Sequence, residues 1–468
     1  MSLITQMFRK KLVGGDSFGL KKCLSAWDLT LLGIGAIIGT GIFVLTGVAA
    51  ATQAGPAVVL SFVIAGVACA FAALSYAELS SSVGGCGSAY GYSYAAFGEF
   101  IAWIIGWDLV LEYGVSVAAV ANGWSGYFNN ALSAMGIGLP EVLTKGPEMG
   151  GIVNLPAAGI ILILTMLLVS GVKESARLNA AMVFVKLLAI AVFVGVAVFH
   201  VNPANWSPFA PFGWFDHVEG GKTVGILAGA SLVFFAYVGF DAVSTAVEEA
   251  KNPQKDVPIG ILSSLVFCTA IYILVAGLLT GMAHYTELNV SSPVAHALGL
   301  VGVNWASALV ATGVIAGLTT VMLVLYYGLT RILMGMSRDG LLPGFFSDVD
   351  AKTQTPVKNT VLCGIVMAVA AGVLPLGVLA ELVNIGTLFA FVLVCAGVIV
   401  LRKTNPDLPR PFQAPFGILL PALGVLSCGA LIAFLPFMTY ARFLVWLAAG
   451  VVIYFIYSRK HSRLAAGH

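Results

Sequence analysis

The sequence predicts an all-α membrane protein of twelve transmembrane helices, the first ten forming two inverted groups of five, with helices one and six broken. Three observations predict this. Hydrophobic residues make up 59% of the 468 and charged residues 9%, whereas soluble globular proteins average roughly 45–50% and 25%. Twelve apolar stretches suited to a bilayer recur along the chain. Glycine-interrupted segments stand first in each of two successive groups of five.

In order, the stretches cover 29–51, 57–77, 95–126, 155–172, 179–200, 223–247, 258–283, 304–337, 358–375, 377–401, 416–436 and 438–457. The third and eighth exceed the about 20 residues that a bilayer needs, which implies tilt or extension beyond it. Residues 1–26 precede the spans, 27–401 carry the first ten, 402–457 the last two with their preceding loop, and 458–468 form a tail. No soluble domain interrupts them. The longest connections, 129–154 and 202–222, are rich in Gly, Pro, Trp and Asn.

Basic residues set the expected orientation. With the N-terminus cytoplasmic, nineteen of the 23 Lys and Arg fall on inner segments, against Lys145, Lys222 and Arg442 outside and Lys186 within a span. The positive-inside rule therefore places both termini in the cytoplasm. The first twenty-six residues are polar and basic, so the first helix is expected to target the protein without a cleavable signal peptide. Seven scattered cysteines with no CxxC pair read as packing residues, excluding a disulfide frame or metal site. The basic residues are explained by topology and do not point to nucleic acid.

The first break is expected within Gly33-Ile34-Gly35-Ala36-Ile37-Ile38-Gly39-Thr40-Gly41, and the second within Phe234-Phe235-Ala236-Tyr237-Val238-Gly239-Phe240-Asp241. Gly35 and Gly39 also form a GxxxG pair that close helix packing alone would explain. Gly41 directly after Thr40 and the matched break in span six favour unwinding, because so dense a run of glycines weakens a helix. Five is an odd number, so the second group enters the membrane upside down, and paired breaks at matching positions mark an inverted-repeat transporter.

Unwound backbone at membrane depth is tolerable only where it lines a cavity or meets a ligand. Amides near Thr40 and Gly41 start the outer half of span one and suit a carboxylate. Carbonyls of Ile37, Phe235, Ala236 and Val238 are acceptors for an ammonium group. Gly39, Gly239 and Asp241 flank the breaks in gating or structural roles. Such a site reads the part common to all amino acids.

Long stretches carry a resemblance to a known family. They are GIGAIIGTGIFVLTG (33–47), SYAELSSSVGGCGSAYGYSYAAFGE (75–99), FFAYVGFDAVSTAVEEAKNPQKDVPIGI (234–261), TRILMGMSRDGLLP (330–343) and VNIGTLFAFVLVCAGVIVLR (383–402). The chain resembles the amino acid-polyamine-organocation superfamily, and within it the bacterial relatives of the cationic amino acid transporters. The resemblance implies a leucine-transporter-like 5+5 inverted repeat working by alternating access around a site between spans one, three, six and eight. It maps Thr40, Gly41 and Ile37 to the substrate backbone and Phe235 to the lid. Gly84-Gly85-Cys86-Gly87 departs from relatives that carry Pro or polar residues there.

Lys186 carries the expected mechanism. Seven residues into its span, it lies roughly 10 Å deep, too far for easy snorkelling, and an intramembrane ionisable group is a functional hypothesis by default. In sodium-coupled relatives of this fold an ion bridges spans one and eight, and this ammonium resembles a built-in substitute. The expectation is that protonated Lys186 bonds carbonyls of the broken span one. The alternative is a constitutively charged structural lysine. Asp108 and Glu112 share one face of span three, and Glu112 is a second proton carrier, a partner for Lys186, or a structural group bonded to tyrosines and amides. Asp241, after the second break, is expected to hold the unwound segment, with pH sensing as the alternative role. Glu78, Glu248, Glu249, Arg338 and Asp339 are expected in gate or interfacial ion pairs, and Met322 in the pocket wall.

The expected function is secondary active, proton-coupled symport of L-amino acids across the plasma membrane, with no cofactor beyond the proton gradient and no metal. Substrates are small neutral amino acids such as alanine, or cationic ones such as arginine and lysine. An obligate amino acid/amine exchanger and an amino acid sensor of the same fold remain open, as does a small membrane-protein partner. No GxxxxGK[ST] loop marks a pump, no charged ring or filter a channel, and no nucleophile–base pair an enzyme.

Overall fold

The computed structural model describes residues 7–10, 22–83, 88–171, 176–214, 217–219, 222–350, 353 and 355–465. Residues 84–87, at which a departure from the family was noted, lie outside these residues, as does most of the segment before the first span.

Helix α1 (Ala26–Ile37) begins at a capping box. The Ser25 hydroxyl accepts from the Asp28 amide, and the Asp28 carboxylate accepts from the Ser25 amide at 2.9 Å. It ends because Ile38 turns extended, at φ −73° and ψ 100°. Helical structure resumes at Gly41 and runs over 41–54 through two π-helical turns. Gly55, at φ +62°, then reverses the chain into α2 (Val58–Ser82), a conformation that only glycine adopts without strain.

Helix α3 (Ala89–Ala96) and the long α4 (Glu99–Ala134) follow, with α5 (Leu155–Val169) capped by Asn154 and α6 (Ala176–Ala197). A two-stranded antiparallel hairpin, β1 (His217–Glu219) and β2 (Lys222–Val224), leads into α7 (Ile226–Val233). Here the second break opens: a tight turn over Phe234–Tyr237, extended Val238, Gly239 at φ +120°, and a 3-10 run over Phe240–Glu249. The remaining helices are α8 (Pro253–Met282), α9 (Pro293–Leu300), α10 (Asn304–Arg338), α11 (Val357–Val373), α12 (Leu376–Thr404), α13 (Leu419–Ala433) and α14 (Phe437–Ile453).

The described residues form eight helical stretches long and apolar enough to cross a membrane, and four shorter apolar helices, α1, α5, α11 and α13. At about 1.5 Å per residue, α4 and α10 outrun the about 30 Å of a hydrocarbon core. The packing is ordered. Helix α2 lies against α8, α4 against α10 and α5 against α11, while the two breaks meet each other. Helix α14 is zipped to α4 by Trp107 and Trp446, which stack 4.4 Å apart and donate indole N–H bonds to each other's carbonyls at 2.9 and 3.1 Å. Apolar side chains such as Phe184, Val266 and Ile365 point outward, as a lipid-facing surface requires. All six described cysteines are free and five are buried.

Candidate functional site

Both breaks face one narrow pocket, tightly closed in this conformation. Ala36, Ile37, Gly39, Thr40 and Gly41 line it from the first break, and Phe235 and Val238 from the second. Helix α4 contributes Ser116 and Val120, and α10 contributes Val321 and Leu325. None of these side chains is ionisable. Two are polar, and both are orphaned: the hydroxyls of Thr40 and Ser116 are buried with no hydrogen-bond partner among the described residues. A buried unsatisfied hydroxyl costs about 1–3 kcal/mol, which is explained if a ligand completes the bond.

The breaks touch because Gly41 has no side chain. A Cβ there would lie 2.3 Å from Ala236 Cα, inside the neighbouring backbone. Tyr272 of α8 ties them, its hydroxyl 2.8 Å from the carbonyl oxygens of both Ile37 and Ala236. Asn384 of α12 donates to the carbonyls of Ser231 and Leu232 at 2.7 and 3.1 Å, supporting the end of α7. Gly239 donates its amide to Asp241 Oδ1 at 3.2 Å, and Ser244 Oγ donates to the Asp241 carbonyl at 2.6 Å. Asp241 thus sits in the unwound segment and bonds it.

Of the residues singled out in the sequence, Ile37, Gly39, Thr40, Gly41, Phe235 and Val238 lie together on the cavity. Ala236 packs behind Gly41 and does not line it. Met322 does not line it either, although it is wholly buried. Val321 and Leu325 stand one turn apart on the face of α10 that looks inward, and Met322 is rotated about 100° from Val321. Ser116, Val120, Ala36, Val321 and Leu325 were not foreseen. Ser116 had a signal, since it lies one turn beyond Glu112 on the same face of α4.

Lys186 on α6 is 1% exposed, and its Nζ donates to the Gly35 carbonyl at 2.6 Å. Its stem runs against Gly317 of α10, where a Cβ would meet Lys186 Cγ at 2.6 Å. It lies behind the cavity, on the wall formed by the first break. Glu112 forms no salt bridge among the described residues. Its neighbours are Asp241, Asp108 and Thr387.

The acids expected at span ends separate into cases. Glu78 is buried and forms a close salt bridge with Arg402, with Arg410 Nε 3.6 Å away and the Ala414 amide donating at 2.8 Å. Glu249 meets Arg331 at 3.7 Å in a more exposed pair. Asp339 accepts from the Tyr90 hydroxyl at 2.7 Å. The Glu248 side chain lies outside the described residues.

Discontinuous helices apposed around an uncharged chamber, inside an apolar helical bundle, are the architecture of a membrane carrier. Comparison with known proteins narrows the class. The amino acid permease family model matches residues 24–457, and the chain belongs to this family of the amino acid-polyamine-organocation superfamily. It is 49% identical to a methylthioribose transporter of Bacillus subtilis, covering 98% of this chain and 100% of the relative. It is 50% identical to a branched-chain amino acid permease of the same organism, covering 98% and 99%. A vacuolar cationic amino acid transporter 4 of Arabidopsis thaliana is 40% identical over 83% of this chain and 64% of the relative.

Proposed function

We propose that the protein is a secondary active, proton-coupled symporter of neutral aliphatic L-amino acids. The observation that carries the reading is the cavity where the two breaks meet. Its polar groups are two orphan hydroxyls and helix ends, and the rest of its wall is apolar. First-turn amides at Gly41 meet the carboxylate, with the Thr40 and Ser116 hydroxyls as added donors. Carbonyls at Ile37 and Phe235 meet the ammonium group. Val120, Val321 and Leu325 receive the side chain. The cavity wall offers no carboxylate to a cationic side chain, so arginine and lysine rank below alanine and branched-chain substrates.

The scaffold in this reading is a leucine-transporter-like 5+5 inverted repeat of twelve crossings. The four shorter apolar helices complete the membrane passage, and both termini lie in the cytoplasm of a plasma-membrane protein. Support comes from the helix pairs α2–α8, α4–α10 and α5–α11 and the paired breaks, each pair five spans apart. Lys186 serves as the proton relay because its amine bonds the first break directly, and Glu112 assists it. No organic cofactor takes part.

A second reading rests on the 49% identity to a methylthioribose transporter: a small neutral thioether sugar, held by the same hydroxyls and apolar wall. One experiment separates them. Proteoliposomes under an inward proton gradient are offered labelled alanine, leucine, arginine and methylthioribose. Gradient-driven uptake of alanine or leucine supports the proposal. Uptake of methylthioribose alone transfers the site to the second reading, and uptake that needs internal substrate identifies an exchanger.

A further inference from the structure

Asp108 and Glu112 stand one turn apart on α4, yet their surroundings differ. Glu112 has Thr387 of α12 and Asp241 of the second break beside it. Asp108 is fully buried, and neither carboxyl oxygen has a hydrogen-bond partner among the described residues. Its seat is shaped by Gly386 of α12, where a Cβ would lie 2.8 Å from Asp108 Oδ1.

Among the described residues, no cation pairs with Asp108. Glu112 on the same helix stands beside Asp108, and around Glu112 gather Asp241 of the second break, Tyr113 and, from α2, Tyr76. On α12, Glu381 accepts from Thr439 and Arg402 pairs with Glu78. Arg331 of α10 pairs with Glu249, Lys358 of α11 with Asp348, and the Tyr454 hydroxyl beyond α14 bonds Glu99. A bare carboxylate in such a place is far more costly to bury than the neutral acid. An apolar residue of the same shape would be less costly still, so stability alone does not account for an acid here.

We propose that Asp108 is a proton-binding site of the transport cycle, separate from Lys186 and seated by Gly386. In this conformation the carboxyl carries the proton. When the α4–α12 contact opens to water, the acid loses its proton to solvent and becomes a hydrated carboxylate. Closure requires a proton to be taken up again. The inference rests on the proton-coupled reading above.

The test compares wild type, Asp108→Asn and Asp108→Glu in proteoliposomes, measuring protons carried per labelled substrate, together with infrared difference spectra of the purified proteins in the protonated-carboxyl region. Asp108→Asn is expected to lower the proton ratio and to remove one carboxyl band, with Asp108→Glu restoring both. A wild type that moves protons with substrate, beside an Asp108→Asn protein with the same ratio and an intact carboxyl spectrum, overturns this assignment alone. A wild type that moves none overturns the proton-coupled reading as well. Where Asp108→Asn is inactive, the infrared band decides, and its persistence overturns the proposal. Sodium-dependent uptake abolished in Asp108→Asn would give the carboxylate to a metal cation and overturn it too.

Discussion

Lys186 donates to the Gly35 carbonyl across 2.6 Å, and so fastens α6 to the last turn of α1. That carbonyl is one of the helix-end acceptors that a break leaves without an intrahelical donor. Two turns of different helices therefore hold the first break by its carbonyls, Lys186 at Gly35 and Tyr272 at Ile37. In the proposed relay, a proton leaving Lys186 would act on the backbone next to Ala36, which lines the cavity.

Lys186→Ala is expected to abolish uptake driven by a pH gradient. It also strands the Gly35 oxygen, lowering stability by about 1–3 kcal/mol. Lys186→Arg separates the two effects where it fits beside Gly317: a guanidinium keeps the charge and donors but does not release its proton, so coupling stays lost. Uptake into proteoliposomes at equal and unequal pH, with thermal melts of each variant, checks both. Normal gradient-driven uptake by Lys186→Ala removes the relay role.

Gly41 and Gly39 predict opposite outcomes for the same substitution. A methyl at Gly41 meets Ala236 Cα at 2.3 Å, and backbone cannot yield as a side chain does. Gly41→Ala is expected to separate the breaks and eliminate binding, with overpacking strain of about 1–3 kcal/mol or more. At Gly39 the nearest atom is Val321 Cγ1 at 3.8 Å, so Gly39→Ala folds but fills part of the cavity. Competition assays should then show loss of leucine before loss of alanine.

Tyr272→Phe removes a single oxygen and frees two carbonyls, those of Ile37 and Ala236. The ring contacts with Phe62 and Tyr237, at 5.5 and 5.3 Å, survive the change. The expected loss is about 1–3 kcal/mol of stability with weakened substrate affinity, read by thermal melts with and without alanine. A variant as stable and as tight-binding as wild type would mean that the hydroxyl does not brace the breaks.

The breaks were legible because glycine density and mirrored position are written in the chain: Gly33 to Gly41 and Gly239 mark the interruptions to within a few residues. Lys186 was legible as a lone charge in an apolar stretch, and its carbonyl partner followed from the break. The cavity walls on α4 and α10 were not. An all-round apolar helix has no polar stripe to orient it, so nothing in the sequence distinguished Val321 from Met322, and the wall residue was placed one position off. Ser116 carried a weak signal in its place one turn beyond Glu112, but a lone serine in a membrane helix usually bonds its own backbone.

Glu78 predicts a stability effect away from the cavity. Its carboxylate is shared by Arg402, Arg410 and the Ala414 amide, and Arg410 also donates to the Leu401 and Asn405 carbonyls at 3.1 and 2.9 Å. Glu78→Gln leaves buried guanidinium charge without its counter-ion, a loss of about 3–5 kcal/mol. Arg402→Gln should cost a similar amount. The double variant is expected to be less destabilised than the sum of the two, a coupling that a double-mutant cycle reads. Additive losses would show that the pair is not a unit.

Thr40 and Ser116 give the sharpest test of the binding site, because stability and affinity should move in opposite directions. Each hydroxyl is buried without a partner among the described residues, so removing it relieves a desolvation penalty in the ligand-free protein. Thr40→Val keeps the shape, and Ser116→Ala removes one atom. Both variants should melt at or above the wild-type temperature. If the hydroxyls bond the substrate carboxylate, each change costs about 1–2 kcal/mol of binding, or roughly a 5- to 30-fold rise in KM. A merely structural hydroxyl would give the reverse pattern, with a lower melting temperature and an unchanged KM. Melting curves and KM for alanine on the same preparations distinguish the two, and unchanged KM in both variants would exclude these hydroxyls from the site.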